Sequence, residues 1–152
     1  IATKNAEIQK MCIEGCVLAG YSYSQVNYQT HPVYEMERLM AVHDIVITQG
    51  RGVYEALACD KSVICLSNRP DGYGGWIVRA DGWAVPGAIE VFRENNCSGR
   101  TLDMQWGSAE LAENLSQYHG PETWGRAYVE ENNDVKDIAQ QYLAMVEEEV
   151  VA

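Results

Sequence analysis

Apolar residues along this chain change rhythm several times, and the changes mark its elements. From about Asn5 to Leu18, Ile8, Met11, Cys12, Gly15 and Cys16 recur at helical spacing. That predicts a helix, with Gly20 as its stop. Ser24 to Tyr28 is a short strand candidate, broken off by His31-Pro32. Val33 to Val42 returns to helical spacing, with Met36, Leu39 and Met40 on the inner face. Asp44-Ile45-Val46-Ile47-Thr48 is then almost continuously branched and apolar, the pattern of a strand buried on both faces. Gln49-Gly50-Arg51-Gly52 reads as a turn, Val53 to Cys59 as a helix and Ser62 to Ser67 as a second buried strand. Short links between strand, helix and strand predict a parallel pair with a right-handed crossover.

The pattern breaks at Asn68. Between there and Trp83 lie Pro70, Gly72, Gly74, Gly75 and Gly82, interleaved with Tyr73, Trp76 and Trp83. This segment reads as a long loop holding at most a short strand at Trp76-Ile77-Val78. Ordered loops after parallel strands usually serve a binding site. Helices are expected again at Pro86 to Glu94, at Ser108 to Tyr118 with Ser108 as cap, at Pro121 to Glu131 and from Asp134 to Glu149. The alternation of strands and helices gives an α/β class and one domain over residues 1–152. A doubly wound sheet normally begins with a strand feeding its first glycine turn. This chain opens almost directly into a helix, so it reads as a fragment of a larger protein that starts just after that strand.

Charge narrows the partners. With 22 acidic and 11 basic residues the formal net charge is -11. A field of that sign repels nucleic acid backbones and acidic membranes, so neither is expected as a partner. No apolar run reaches membrane-spanning length. The five cysteines are odd in number and scattered, and neither they nor His31, His43 and His119 have metal-site spacing. No metal and no cofactor is expected. Cys59 and Cys65 read as small buried hydrophobes, and reduced thiols fit a cytoplasmic location. The acidic excess near the end, including Glu147-Glu148-Glu149, reads as a solvated helix face.

Candidate chemistry gathers around the first glycine turn. Gly50 and Gly52 flank Arg51 at the carboxyl end of a strand, where open α/β sheets bind ligands. They serve either a plain tight turn or the close approach of a ligand. The free amides of the following helix suit a phosphate. Glu55 is the sole charge in an apolar stretch. It either accepts hydrogen bonds from two ribose hydroxyls or is an acid favoured by the helix dipole. Arg51 and Arg100, each beside a glycine in a turn, offer forked donors to phosphate. Asp71 contacts a sugar hydroxyl or caps its turn. Tyr73 or Trp76 stacks on a ligand or packs the loop.

The run from Ala41 to Ile64 resembles the donor half of two-domain nucleotide-sugar glycosyltransferases. The shared features are an apolar strand, a glycine turn, the Glu55-Ala56-Leu57-Ala58-Cys59 helix and the Val63-Ile64 strand. Glu55 matches the second carboxylate of that family's paired-glutamate motif, which binds the ribose, and Ile47 stands where the first would fall. The turn Gln49 to Gly52 matches the loop near the donor phosphates. The resemblance implies the C-terminal half of a GT-B fold, a Rossmann-like parallel sheet flanked by helices. It implies a nucleotide-sugar donor as partner and a missing N-terminal acceptor domain. Gly50, Arg51, Gly52, Glu55, Asp71 and Arg100 would be the donor-binding residues, with the catalytic residue unassigned. Two other readings share the architecture: a non-hydrolysing nucleotide-sugar epimerase and a non-catalytic module of the same fold. A flavodoxin-like domain is a more distant option.

Overall fold

A computed structural model describes residues 1–3, 5–26, 35–70, 76–98, 106–121 and 123–140. It is a small α/β fold, a three-stranded mixed sheet flanked by helices. In chain order the elements are α1 (Ala6–Leu18), α2 (Met36–Ala41), β1 (Ile45–Thr48), α3 (Arg51–Ala58), β2 (Ser62–Pro70), β3 (Trp76–Trp83), α4 (Ala88–Glu94), α5 (Ser108–Ser116) and α6 (Gly125–Asn133). A further helical stretch covers 135–140, with Asp134 Oδ1 accepting from the Lys136 amide at 2.7 Å. Among the described residues no helix is long and apolar enough to cross a membrane.

β1 and β2 pair in parallel, Val46 opposite Val63 and Thr48 opposite Cys65, with α3 as the crossover. The continuous apolar runs have the burial that the sequence predicts. Val46, Val63 and Cys65 turn to one face, where α3 and α4 cover them with Val53, Leu57, Ile89 and Phe92, and Tyr128 and Val129 of α6 pack against that cluster. Ile47, Ile64 and Leu66 turn to the other, where α1 and α5 cover them with Ile8, Cys12, Cys16, Leu111 and Leu115. Period-2 alternation thus feeds two cores, one per face.

Two features depart from the sequence reading. The segment expected as a loop from Asn68 to Trp83 instead lengthens β2 to Pro70 and forms β3, antiparallel to β2 from Ile64–Trp83 to Pro70–Trp76. The sheet is therefore mixed rather than parallel throughout. Secondly, the opening residues lie against β1 without forming a strand of the sheet. Ala2 donates its amide to Ile47 O at 2.9 Å, and it forms a parallel bridge with Val26, whose amide donates to Ile1 O at 3.0 Å. Thr48 Oγ1 donates to Ala2 O at 3.3 Å. The strand candidate at Ser24 to Tyr28 is represented by this bridge, and its last two residues lie outside the described ones.

Helix ends follow local chemistry. Asn5 caps α1, its Oδ1 accepting from the Glu7 and Ile8 amides at 2.9 and 3.3 Å. At α5 the expected cap, Ser108, is already the first helical residue. Glu110 reaches back instead, Oε2 accepting from the Gly107 amide at 3.0 Å. All five cysteines are free thiols, and Cys59, expected as buried, is only partly so.

Candidate functional site

The carboxyl edge of the parallel pair is closed by three chain segments. β1 ends at Thr48, and the chain turns sharply through Gln49 and Gly50. Gly50 has φ 59 and ψ -136, a conformation that a side chain would strain. α3 starts at once and has no side-chain cap; Gly50 O takes the Val53 amide at 3.0 Å, and the Arg51 and Gly52 amides stand at this edge. Gly52 lets that helix settle on the strand end: a Cβ there would lie 2.5 Å from Thr48 Oγ1.

The third segment is the turn after α4. Asn96 and Cys97 both take left-handed backbone, at φ 53 and 50. That conformation turns the Cys97 carbonyl toward two donors, the Gly50 amide at 2.8 Å and the Cys65 thiol at 3.3 Å. Tyr54 adds a hydrogen bond to the Cys97 side chain. Burial, then this bond, push the Tyr54 phenol well above its ordinary value. Burial likewise raises the Cys97 thiol, and the bond from Tyr54 offsets part of that rise. These groups are neutral near pH 7 and act as packing and hydrogen-bonding groups rather than as nucleophiles.

The structure brings Gly50, Arg51, Gly52 and Glu55 together on one turn and the helix it opens. Arg51 Nε donates to Glu55 Oε1 at 2.6 Å. The arginine side chain is 90% exposed and the glutamate 33% exposed, so the pair lies on the outer side of α3 and not in the core. Gln49 contributes a buried Oε1 with no hydrogen-bond partner among the described residues, an acceptor free for a donor at this turn. Asp71 and Arg100 lie outside the described residues, as does Tyr73.

One acid escaped the sequence reading. Asp81 is fully buried within β3, at the register shift where Leu66 pairs with Ala80 and Cys65 with Gly82. It is the extra residue of a β-bulge level with the end of the parallel pair. Bulges often re-aim side chains beside functional sites. The signal was present as Asp81-Gly82, but that dipeptide reads first as a turn. Asp81 also contributes to raising the Cys65 thiol, after burial and Cys97.

Among the described residues no cluster of three or more His, Cys, Asp or Glu could hold a metal ion. No protein-family model, curated protein or solved structure matches the chain.

Proposed function

We propose that this chain binds the nucleotide of an activated sugar and is the donor half of a two-domain glycosyltransferase with a Rossmann-like sheet. One observation carries the reading. An α3 without a side-chain cap opens from a glycine turn at the carboxyl edge of a parallel pair, with Glu55 one turn in. Such an edge supplies backbone donors for a diphosphate and a carboxylate for ribose hydroxyls. The position of Ala2 adds support. Its amide reaches Ile47 of β1 and it bridges Val26 on its other side, so a further strand completed there would make the order reverse beside β1, and ligands of open α/β sheets sit at such reversals.

In this reading the α3 amides and Arg51 meet the negative diphosphate and stabilise it as it leaves. Arg51 exchanges Glu55 for phosphate, which frees the carboxylate to accept from the ribose. Glu55 positions the donor and transfers no proton, so an ordinary carboxylate suffices. The acceptor and the base belong to another domain. A second reading, a binding module without chemistry, is favoured by Ile47. It stands where the family's other glutamate falls and is only 3% exposed, inside the sheet core.

Calorimetric titration with UDP and GDP tests the proposal. One of them should saturate, and Glu55→Ala should weaken it at least about tenfold, the equivalent of one lost charge-assisted pair. Absence of saturation by either nucleotide, or indifference to Glu55→Ala, refutes donor binding. Saturation without sugar transfer when an acceptor domain is supplied would favour the module.

A further inference from the structure

At the opposite, amino edge of the sheet lies a recess of about 190 Å³ that the donor site does not use. Its walls come from the start of β2, the residues after β3, the far ends of α3 and α5, and Trp124 ahead of α6. We propose that this recess is a binding site for a single-ring aromatic carboxylate.

Three observations converge on that class. The first is shape. Trp83 and Tyr118 stack with centroids 5.9 Å apart and planes 16° from parallel, which makes a flat wall. Trp124 lines the recess too, held edge-on against Tyr128 at 5.6 Å. Aromatic walls favour a flat apolar guest. A cavity of roughly 150 Å³ accommodates benzene, so this one fits a single ring and a small substituent. The second is an unmet polar group. Tyr118 Oη is buried with no hydrogen-bond partner among the described residues. A buried hydroxyl left so is costly, and a guest carboxylate that shifts the lining enough to reach it would offset that cost.

The third is charge. Among the described residues, Lys61 and His119 are the titratable side chains of the lining besides Tyr118, and none of them is a carboxylate, in a chain with 22 acidic residues. Lys61 Nζ gives one donor to Ala41 O at 3.3 Å and keeps its charge and its remaining donors. The nearby Asp60 is paired with Arg126 at 3.0 Å. A local positive rim on an acidic protein selects an anion and repels a cation of the same shape.

The test is a titration of the chain with benzoate and with benzylammonium, followed by tryptophan fluorescence and by the indole N–H signals in 1H–15N spectra. Benzoate should saturate and move the Trp83 and Trp124 signals. Lys61→Gln should weaken it about tenfold, and Tyr118→Phe about threefold or more. Benzylammonium should not saturate. Lys61→Gln changes an exposed rim and keeps the fold, so it decides the matter even where Tyr118→Phe perturbs packing. Failure of benzoate to saturate by about 10 mM, equal binding of benzylammonium, or an unchanged affinity in Lys61→Gln would overturn the proposal. Nucleotide titrations report on the other edge, so the two sites are judged separately.

Discussion

Replacing Gly52 with alanine probes how closely α3 sits on the end of β1. The new methyl would meet Thr48 Oγ1 at 2.5 Å and Cγ2 at 3.3 Å, while Thr48 Cβ lies at an ordinary 3.4 Å. Thr48 is 3% exposed and its hydroxyl is committed to Ala2 O, so rotation loses that bond and meets packed neighbours. Overpacking of this kind costs about 1–3 kcal/mol. The helix gains up to about 1 kcal/mol from alanine over glycine. Gly52→Ala alone should therefore destabilise by about 0–2 kcal/mol. In Thr48→Ala the clashing atoms are gone and only the comfortable contact remains. The same glycine substitution should then stabilise by up to about 1 kcal/mol. Urea unfolding of the four proteins closes the cycle, provided the slopes agree. A Gly52→Ala effect that is the same in both backgrounds, within about 0.5 kcal/mol, would refute the close approach.

Leu111→Ala should cost about 2–5 kcal/mol in chemical unfolding, because the leucine is fully buried between α1 and α5. Adding Gly15→Ala should recover part of the loss, since its Cβ would fill the space left by Leu111 Cδ2, 2.7 Å away, provided the remaining Cβ at 3.1 Å shifts by a few tenths of an ångström. Stability should fall at alkaline pH. Burial, with Cys16 adding, pushes the Cys12 thiol from an ordinary 9.0 to about 12, and Cys16, Cys65 and Cys97 are raised too, chiefly by burial. The unfolded chain then releases thiol protons first, so this contribution is whole below about pH 9 and shrinks as pH climbs toward 12. The urea midpoint in reducing buffer should drop between pH 8 and pH 10, less steeply in Cys12→Ala, and a midpoint flat across that range would contradict the burial argument. Glu55→Gln should change stability by less than about 0.5 kcal/mol, because its pair with the 90% exposed Arg51 is a surface i,i+4 contact. A larger loss in thermal melts would make Glu55 a structural residue.

What the sequence revealed tracks how local each element's cause is. β1, α3 and β2 were legible because branched apolar runs are buried on both faces and short links force a crossover. β3 was legible only at its start, the short strand at Trp76-Ile77-Val78, because the rest of its extension depends on pairing with β2 and on the bridge from Ala80 to Trp106. Locally, Gly82, Pro70 and their neighbours outweigh the alternation of Ile77 to Trp83. The role of Ala2 was invisible for a related reason: three residues form no periodic window, and their place depends on Ile47 and Val26 far along the chain. The N-cap position of α5 moved one residue back, from Ser108 to Gly107, which leaves the capping to Glu110, a shift that spacing does not resolve. At the candidate site, the turn and Glu55 followed from residue types alone. The ion pair between Arg51 and Glu55 was available from their i,i+4 spacing. The position of Asp81 in a bulge, and the docking of Cys97 on Gly50, required the three-dimensional pairing.

That docking makes one amide a gauge. The N–H of Gly50 is bonded to a carbonyl 47 positions later in the chain, and the same oxygen takes the thiol hydrogen of Cys65. Solvent deuterium reaches the Gly50 nitrogen only when the segment after α4 lifts from the sheet. Its exchange rate therefore times the opening of the whole edge, and any molecule seated there will slow or quicken a single, assignable resonance.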